Sequence, residues 1–253
     1  PWLMDEMKGQ AEAVGTEMIQ DHIKKVDLTK NPFSAEGDSG QTYTAESIII
    51  STGAQARWLN LKSEQNFRGF GVSACATCDG FFFKDKEVAV VGGGNAAVEE
   101  AMFLTKFASK VKLIHRRNKL RAEKMLQEKL KANKKIEVIW DSVVEDVLGT
   151  TEPKGVNAIK IKNLKDNKIK ELKIDGLFIA IGHDPATQIF KDKVEMDRDG
   201  YIITKPDSTA TNVDGVYAAG DVKDKTYRQA VTAAGMGCMA ALEAEKYISS
   251  LKN

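Results

Sequence analysis

The apolar residues of this chain gather in short runs, and several of them stop at glycine or a small polar residue. Ile48-Ile49-Ile50 leads into Ser51-Thr52-Gly53, and 88–91 leads into Gly92-Gly93-Gly94. Likewise 177–181 leads into Gly182-His183-Asp184-Pro185, and 216–218 is followed by Gly220-Asp221. Short continuous apolar runs bounded by turn residues predict buried strands rather than half-exposed alternating ones. In an open α/β sheet, a buried strand that ends in glycine is a ligand-facing edge. Between 88 and 115 the period changes twice. A strand over 88–91, a glycine turn, helical spacing over 95–108 and a return strand over 111–114 make one βαβ unit.

Elsewhere the pattern predicts a helix over 4–18, then strands over 21–34 and 41–51 around a Gly/Asp/Ser turn at 36–40. A charged helix is expected over 120–132, strands over 136–140 and 143–148, and a polar hairpin of 156–164 with 169–174. Short strands over 201–203 and 216–218 precede one long helix over 229–251, rich in Ala and Gly. Ligand-type strand ends at 48–54 and 216–221 flank the central βαβ unit. The pattern therefore reads as one α/β domain inserted into another.

Length and charge narrow the function classes. A chain of 253 residues holds one large or two ordinary domains. Lys+Arg 37 against Asp+Glu 36 gives a net charge of +1, which argues against a nucleic-acid partner. No apolar run reaches the ~18 residues of a membrane span, so no membrane association is expected. The start, Pro1-Trp2-Leu3-Met4-Asp5-Glu6, carries no signal-peptide pattern. Three cysteines, an odd and small number, fit a reducing cytoplasm, where a CxxC pair is redox-active or metal-binding.

Gly92-x-Gly94-x-x-Ala97 follows a strand and opens a helix, the context that a dinucleotide fingerprint requires. Gly92 suits the tight turn, Gly94 lets backbone approach a pyrophosphate, and Ala97 lets helix and strand pack closely. With Asn95 and Ala96 they form the helix N-terminus, which offers N–H groups to phosphate. The alternative is a tight βα turn that binds nothing. The next strand ends at His115-Arg116-Arg117, with Arg121 one turn on. An NAD site would place an acid at this strand end; guanidinium groups suit the 2′-phosphate of NADP instead. The bland counterpart is a solvated basic face, since Lys119, Lys124, Lys129 and Lys131 continue the run.

Cys75-Ala76-Thr77-Cys78-Asp79-Gly80 admits four readings. Half a zinc site would need two further ligands, and only Cys238 and the scattered His22, His115 and His183 could supply them. A structural disulfide fits poorly with a reducing compartment. Two inert buried thiols fit poorly with Ala-Thr between them and Asp-Gly after them, which read as a turn. Redox catalysis is the fourth, with Cys75 and Cys78 as the dithiol and Asp79 as the group that moves its proton. Cys238, in the last helical stretch, reads as a small core residue.

These motifs resemble the bacterial-type, low-molecular-weight thioredoxin reductases along nearly the whole chain. The resemblance is carried by Cys-Ala-Thr-Cys-Asp-Gly-Phe-Phe at 75–82, Gly-Gly-Gly-Asn with Ala-Val-Glu-Glu-Ala at 92–101, and His-Arg-Arg with Arg-Ala-Glu-Lys at 115–124. Ala-Ile-Gly-His at 180–183, Ala-Ala-Gly-Asp-Val at 218–222, and Tyr-Arg-Gln-Ala with Gly-Cys-Met-Ala-Ala within 227–241 carry it further. The resemblance implies an α/β fold of two Rossmann-like nucleotide-binding domains. An NADPH domain over 58–184, with the CxxC, would be inserted into an FAD domain made of 1–57 and 185–253.

It also implies a relay from NADPH through FAD to Cys75–Cys78 and on to thioredoxin, in a cytoplasmic homodimer. Cys78 would face the flavin, Cys75 would attack thioredoxin, and Asp79 would serve as acid. Asp221, after Gly220, would hold the ribityl–pyrophosphate region of FAD. Arg228, Gln229 and Ala230 would lie along the isoalloxazine, and Thr52 and Gly53 would close the site. Phe81 and Phe82 resemble the apolar surface on which thioredoxin docks; an ordinary hydrophobic approach to a strand is the alternative.

One departure stands out. The family's first FAD-binding βαβ unit, with its own GxGxxG, would precede Pro1, so the FAD domain is expected to be incomplete at its N-terminus. Two other functions therefore stay open: a related flavoprotein disulfide reductase of a peroxide-reducing system, and a catalytically incomplete NADPH-binding fragment.

Overall fold

A computed structural model describes residues 2–252. The chain forms two compact units: Gln55–Asp184, and Pro1–Ala54 together with Pro185–Asn253. The two crossings, Ala54–Ala56 and His183–Pro185, pair as a two-stranded ribbon.

The unit Gln55–Asp184 is built on a parallel sheet of five strands. Their order is Val72–Ser73, Gly176–Ala180, Glu87–Gly92, Lys110–Ile114, Ile136–Ile139. Apolar runs form these strands because both faces are covered. One face packs Val88, Val90, Leu113 and Phe178 under the helices Asn95–Leu104 and Lys124–Ala132. The other packs Ala89, Val91, Ile114 and Leu177 against a three-stranded antiparallel sheet through Val144, Val147 and Ile159. Phe178 is fully buried, and a side chain of that kind contributes about 1.5–3 kcal/mol. Gly92 and Ala180 pair at the carboxyl ends of the two central strands. Chain order reverses there, and an open α/β sheet binds its ligand at such a point.

Several expected elements have different bounds. The charged helix starts at Lys124 rather than 120. Residues just before it are committed to the glycine turn: Arg121 N–H bonds Gly93 O, and Glu123 N–H bonds the Asn95 side chain. The helix expected over 95–108 ends at Leu104, and Lys135 Nζ then takes the carbonyls of Thr105 and Ala108. The polar hairpin exists, and Ser142–Thr151 joins it as a third strand. The helix Lys62–Phe67 and the strand Val72–Ser73 gave no sequence signal.

The other unit holds an antiparallel sheet of Ile23–Asp27, Phe33–Gly37 and Thr42–Ala45, and a parallel pair of Ile48–Ile50 with Val216–Ala218. Where two strands were expected there are four. The Asp27 carboxylate caps a turn by accepting from Thr29 N and Oγ1, which ends the first strand early. Residues 201–203 form no strand. Only an isolated bridge joins Met196 and Ile202, because the Asp197 carboxylate turns the chain by accepting from the N–H groups of Asp199 and Tyr201.

Val26, Phe33, Ile50, Phe190, Val216 and Val222 make this unit's main core. The N-terminal helix, Trp2–Ala13, buries none of its residues. The last helix, Ala230–Leu251, buries only Ala240 and Ala244, which pack on Tyr217 and Ala219. Cys238 is exposed, not part of the core as expected, because it falls off that narrow alanine face.

Candidate functional site

Cys75 and Cys78 form a disulfide across the single turn Ala76–Asp79, with their Cα atoms 5.3 Å apart. The segment read as a bare turn is thus a short helix capped by Cys75. The Cys75 N–H donates to Ser73 Oγ at 3.0 Å, and Asp79 N–H donates to Cys75 O at 3.1 Å. Cys75 Sγ lies 3.2 Å from Cys78 N and 3.3 Å from Thr77 Oγ1. Cys75 and Asp79 are half-buried, whereas Cys78 is exposed. No group of three or more His, Cys, Asp or Glu able to hold a metal occurs among the described residues, so the dithiol has no zinc partners there.

Immediately after the dithiol, Gly80–Phe83 forms a 3-10 turn that leads into the strand Glu87–Gly92. Gly80 is needed for close approach: a Cβ there would lie 3.1 Å from Leu104 and 3.4 Å from Phe107. Phe81 and Phe82 are left 67% and 68% exposed, with Phe81 edge-on to both Phe82 and Phe107. Two neighbouring aromatic rings left this exposed form a surface suited to contact.

The glycine turn is clamped from one side and open on the other. A Cβ on Gly92 would meet Ala180 O at 2.3 Å and Ala97 Cβ at 2.5 Å, so packing, not a left-handed turn, excludes a side chain. A Cβ on Gly93 would strike the His115 ring at 2.2 Å, while one on Gly94 would meet nothing within 4 Å. Gly94 is the N-cap of Asn95–Leu104, and no side chain caps that end. Uncapped N–H groups facing open space fit a phosphate.

His115 is 5% exposed. Its Nδ1 and Nε2 each lie 2.9 Å from a backbone carbonyl oxygen, of Gly92 and Lys119 respectively. The ring nitrogens therefore brace the turn from behind and do not reach outward. Arg116, Arg117 and Arg121 are exposed on the loop that His115 and Gly93 tie down. Asn95 and Glu123 exchange a pair of hydrogen bonds, joining the helix start to the same loop. Ala96 is exposed and Ala97 fully buried.

In the other unit, Thr52 Oγ1 donates to Ala186 O at 2.7 Å and Gly53 O accepts from Ala186 N–H at 2.9 Å. Gly220, at φ +76, begins the 3-10 turn that carries Asp221. Burial, and then the neighbouring Asp224 carboxylate, raise the Asp221 carboxyl above the ordinary range, against the pull of Arg228. Asp224 is a residue the sequence reading missed. Burial pushes its carboxyl up, but the N–H groups of Tyr227, Thr226 and Arg228 and the Thr232 hydroxyl hold it below the usual range. Those bonds set Arg228 at φ +48 and bring Arg228, Gln229 and Ala230 to the start of the last helix, with Gln229 as its N-cap. An acid four residues before an arginine, just ahead of a long helix, was the available signal. Each set of expected residues is thus grouped within its own unit.

Among known proteins, the pyridine nucleotide-disulphide oxidoreductase family model matches residues 5–237. The thioredoxin reductase of Rickettsia conorii is 59% identical over 249 residues, 98% of this chain and 80% of that protein. The solved thioredoxin reductase of Giardia duodenalis is 44% identical with a TM-score of 0.93, over 98% of this chain and 81% of that one. That of Streptococcus pyogenes is 39% identical with a TM-score of 0.93, over 99% of this chain and 80% of that one. With its disulfide turn and glycine turn in place, the chain belongs to the pyridine nucleotide-disulphide oxidoreductases, in the thioredoxin reductase family.

Proposed function

We propose that this protein is a thioredoxin-disulfide reductase, passing electrons from NADPH through FAD to the Cys75–Cys78 disulfide and on to thioredoxin. The observation that carries the reading is the Cys75–Cys78 bridge itself, on a solvent-accessible turn beside the exposed rings of Phe81 and Phe82. Flavin, when bound, supplies the means of turning nicotinamide hydride chemistry into an electron pair for a disulfide.

The chain's own residues have distinct tasks in this reading. Gly94 and the uncapped start of Asn95–Leu104 bind the nucleotide pyrophosphate. Arg116, Arg117 and Arg121 hold the 2′-phosphate, braced by His115, and so select NADPH over NADH. Thr52, Gly53, Gly220, Asp221, Arg228, Gln229 and Ala230 hold FAD. The raised Asp221 carboxyl suits ribityl hydroxyls.

An electron pair and a proton open the disulfide to one thiolate and one thiol. The Cys75 thiolate attacks a sulfur of thioredoxin, forming a mixed disulfide and releasing one thioredoxin thiolate. Cys78 then attacks Cys75 Sγ, which restores the bridge and frees the second thiolate. Asp79 gives and takes the proton that these steps require.

The reading includes a homodimer and a reducing, cytoplasmic setting. The exposed Val231, Leu242 and Leu251 of the last helix are apolar surface that a second copy would cover. Among the described residues, no helix is long and apolar enough to cross a membrane. The test is NADPH oxidation by the flavin-loaded protein with thioredoxin disulfide as acceptor. One thioredoxin disulfide should be reduced per NADPH, and absence of thioredoxin-dependent oxidation would refute the reading.

A further inference from the structure

Within the disulfide, Cys75 Sγ carries no hydrogen, so its 3.3 Å contact with Thr77 is a hydrogen bond donated by the threonine hydroxyl. A second donor, the Cys78 N–H, meets the same sulfur at 3.2 Å. The sulfur is held at this point from behind. Ser73, 8% exposed, accepts the Cys75 N–H, and Asp79 N–H takes the Cys75 carbonyl.

This turn packs on the helix Asn95–Leu104 and the 3-10 turn Gly80–Phe83. Their ionisable groups are Glu99 and Glu100, both acids, and Asp79 on the turn itself is a third. Neither element contains a lysine, arginine or histidine. The Thr77 hydroxyl and the Cys78 N–H are donors already aimed at this sulfur, and hydrogen bonds to a thiolate favour it as a nearby cation does.

We propose that Thr77 is a positioning residue for the exchange step: its hydroxyl holds negative charge on Cys75 Sγ once the disulfide opens. The inference rests on Cys75 being the exchanging thiol of the proposed reductase. Two electrons and one proton open the bond, leaving a thiolate on Cys75 and a thiol on Cys78. The Thr77 hydroxyl, already donating to that sulfur, favours this distribution of the proton. The thiolate then forms its bond to the partner sulfur, the partner disulfide breaks, and the partner thiolate leaves with the electron pair. Thr77 is exposed, so its side chain can be changed without opening the core.

The test follows alkylation of Cys75 by iodoacetamide across pH, in the full chain carrying Cys78→Ser and Cys238→Ser so that one thiol reacts. Thr77→Val should move the midpoint of the rate profile up by about one pH unit, roughly a tenfold loss of rate at pH values below the midpoint. Thr77→Ser, which keeps the hydroxyl, should restore the parent profile. A valine profile that superimposes on the parent would overturn the proposal, as would a serine profile displaced as far as that of valine. The readout needs neither nucleotide nor thioredoxin, so it fails or succeeds separately from the identity of the electron donor and acceptor.

Discussion

Arg121 donates its backbone N–H to the carbonyl oxygen of Gly93 at 2.7 Å, which binds the basic loop to the glycine turn. The fixed backbone leaves the side chains of Arg116, Arg117 and Arg121 exposed beside the open edge at Gly94. Replacing Arg117 or Arg121 by Ala should lower kcat/KM for NADPH by roughly tenfold or more, the scale of one lost charge-assisted bond. The value for NADH should stay within about twofold, since that cofactor has no 2′-phosphate to lose contact with. Steady-state kinetics with both cofactors measure this; equal losses would remove the arginines from phosphate recognition.

Gly93→Ala and Gly94→Ala should fail in different ways. The first drives a methyl into the His115 ring, so it should destabilise the fold by about 1–3 kcal/mol through overpacking. The second places a methyl in open space at φ −92, so thermal unfolding should be little changed. Nucleotide affinity should nevertheless fall, because the methyl occupies the place of the pyrophosphate. Unfolding curves alongside nucleotide titrations separate the two.

Phe81→Ala and Phe82→Ala should raise KM for thioredoxin by roughly tenfold each, the equivalent of burying one aromatic side chain in an interface. Both rings are more than half exposed and pack edge-on, so stability should change little. Reduction of a small disulfide that does not dock should continue at the parent rate. A matching loss with the small substrate would assign the rings to the dithiol's geometry instead.

Acid should loosen the unit containing Asp21 in a defined window. The Ser39 and Tyr43 hydroxyls, with the Ser39 and His22 N–H groups, pull the Asp21 carboxyl down to about 2. A carboxyl depressed in the folded state stabilises it above the unfolded pKa of about 3.9, and this contribution is lost as pH falls towards 2. Denaturant midpoints followed down this range should drop for the parent and drop less for Asp21→Asn. Parallel curves would show that the Ser39–Tyr43 cluster does not couple to folding.

Much of the site could be read from the residues, because the chemistry fixes residue types locally. Gly92 and Ala97 are small because the helix and strand touch there, and Cys75-x-x-Cys78 closes within one turn. What escaped the sequence reading depends on contacts between distant segments. The helix at 124 starts late because Arg121 and Glu123 are held by Gly93 and Asn95. The ring of His115 is fixed by the carbonyls of Gly92 and Lys119, contacts that its place beside two arginines does not reveal. Cys238 lies on a helix whose apolar pattern is wider than the two alanines it buries, so periodicity alone placed it inside. Asp224 was passed over because its role lies in accepting backbone N–H groups of a loop, and its place four residues before Arg228, just ahead of the long helix, was the only hint.

The central claim is that electrons from NADPH leave through the Cys75–Cys78 bridge to a protein disulfide. The most direct measurement is thioredoxin-dependent NADPH oxidation by the flavin-loaded parent and by Cys75→Ser and Cys78→Ser, with NADPH affinity recorded for each. Both variants should lose thioredoxin reduction by at least about a thousandfold, the scale expected for removing a covalent nucleophile, while binding NADPH as the parent does. Thioredoxin reduction that survives in either variant would contradict the claim.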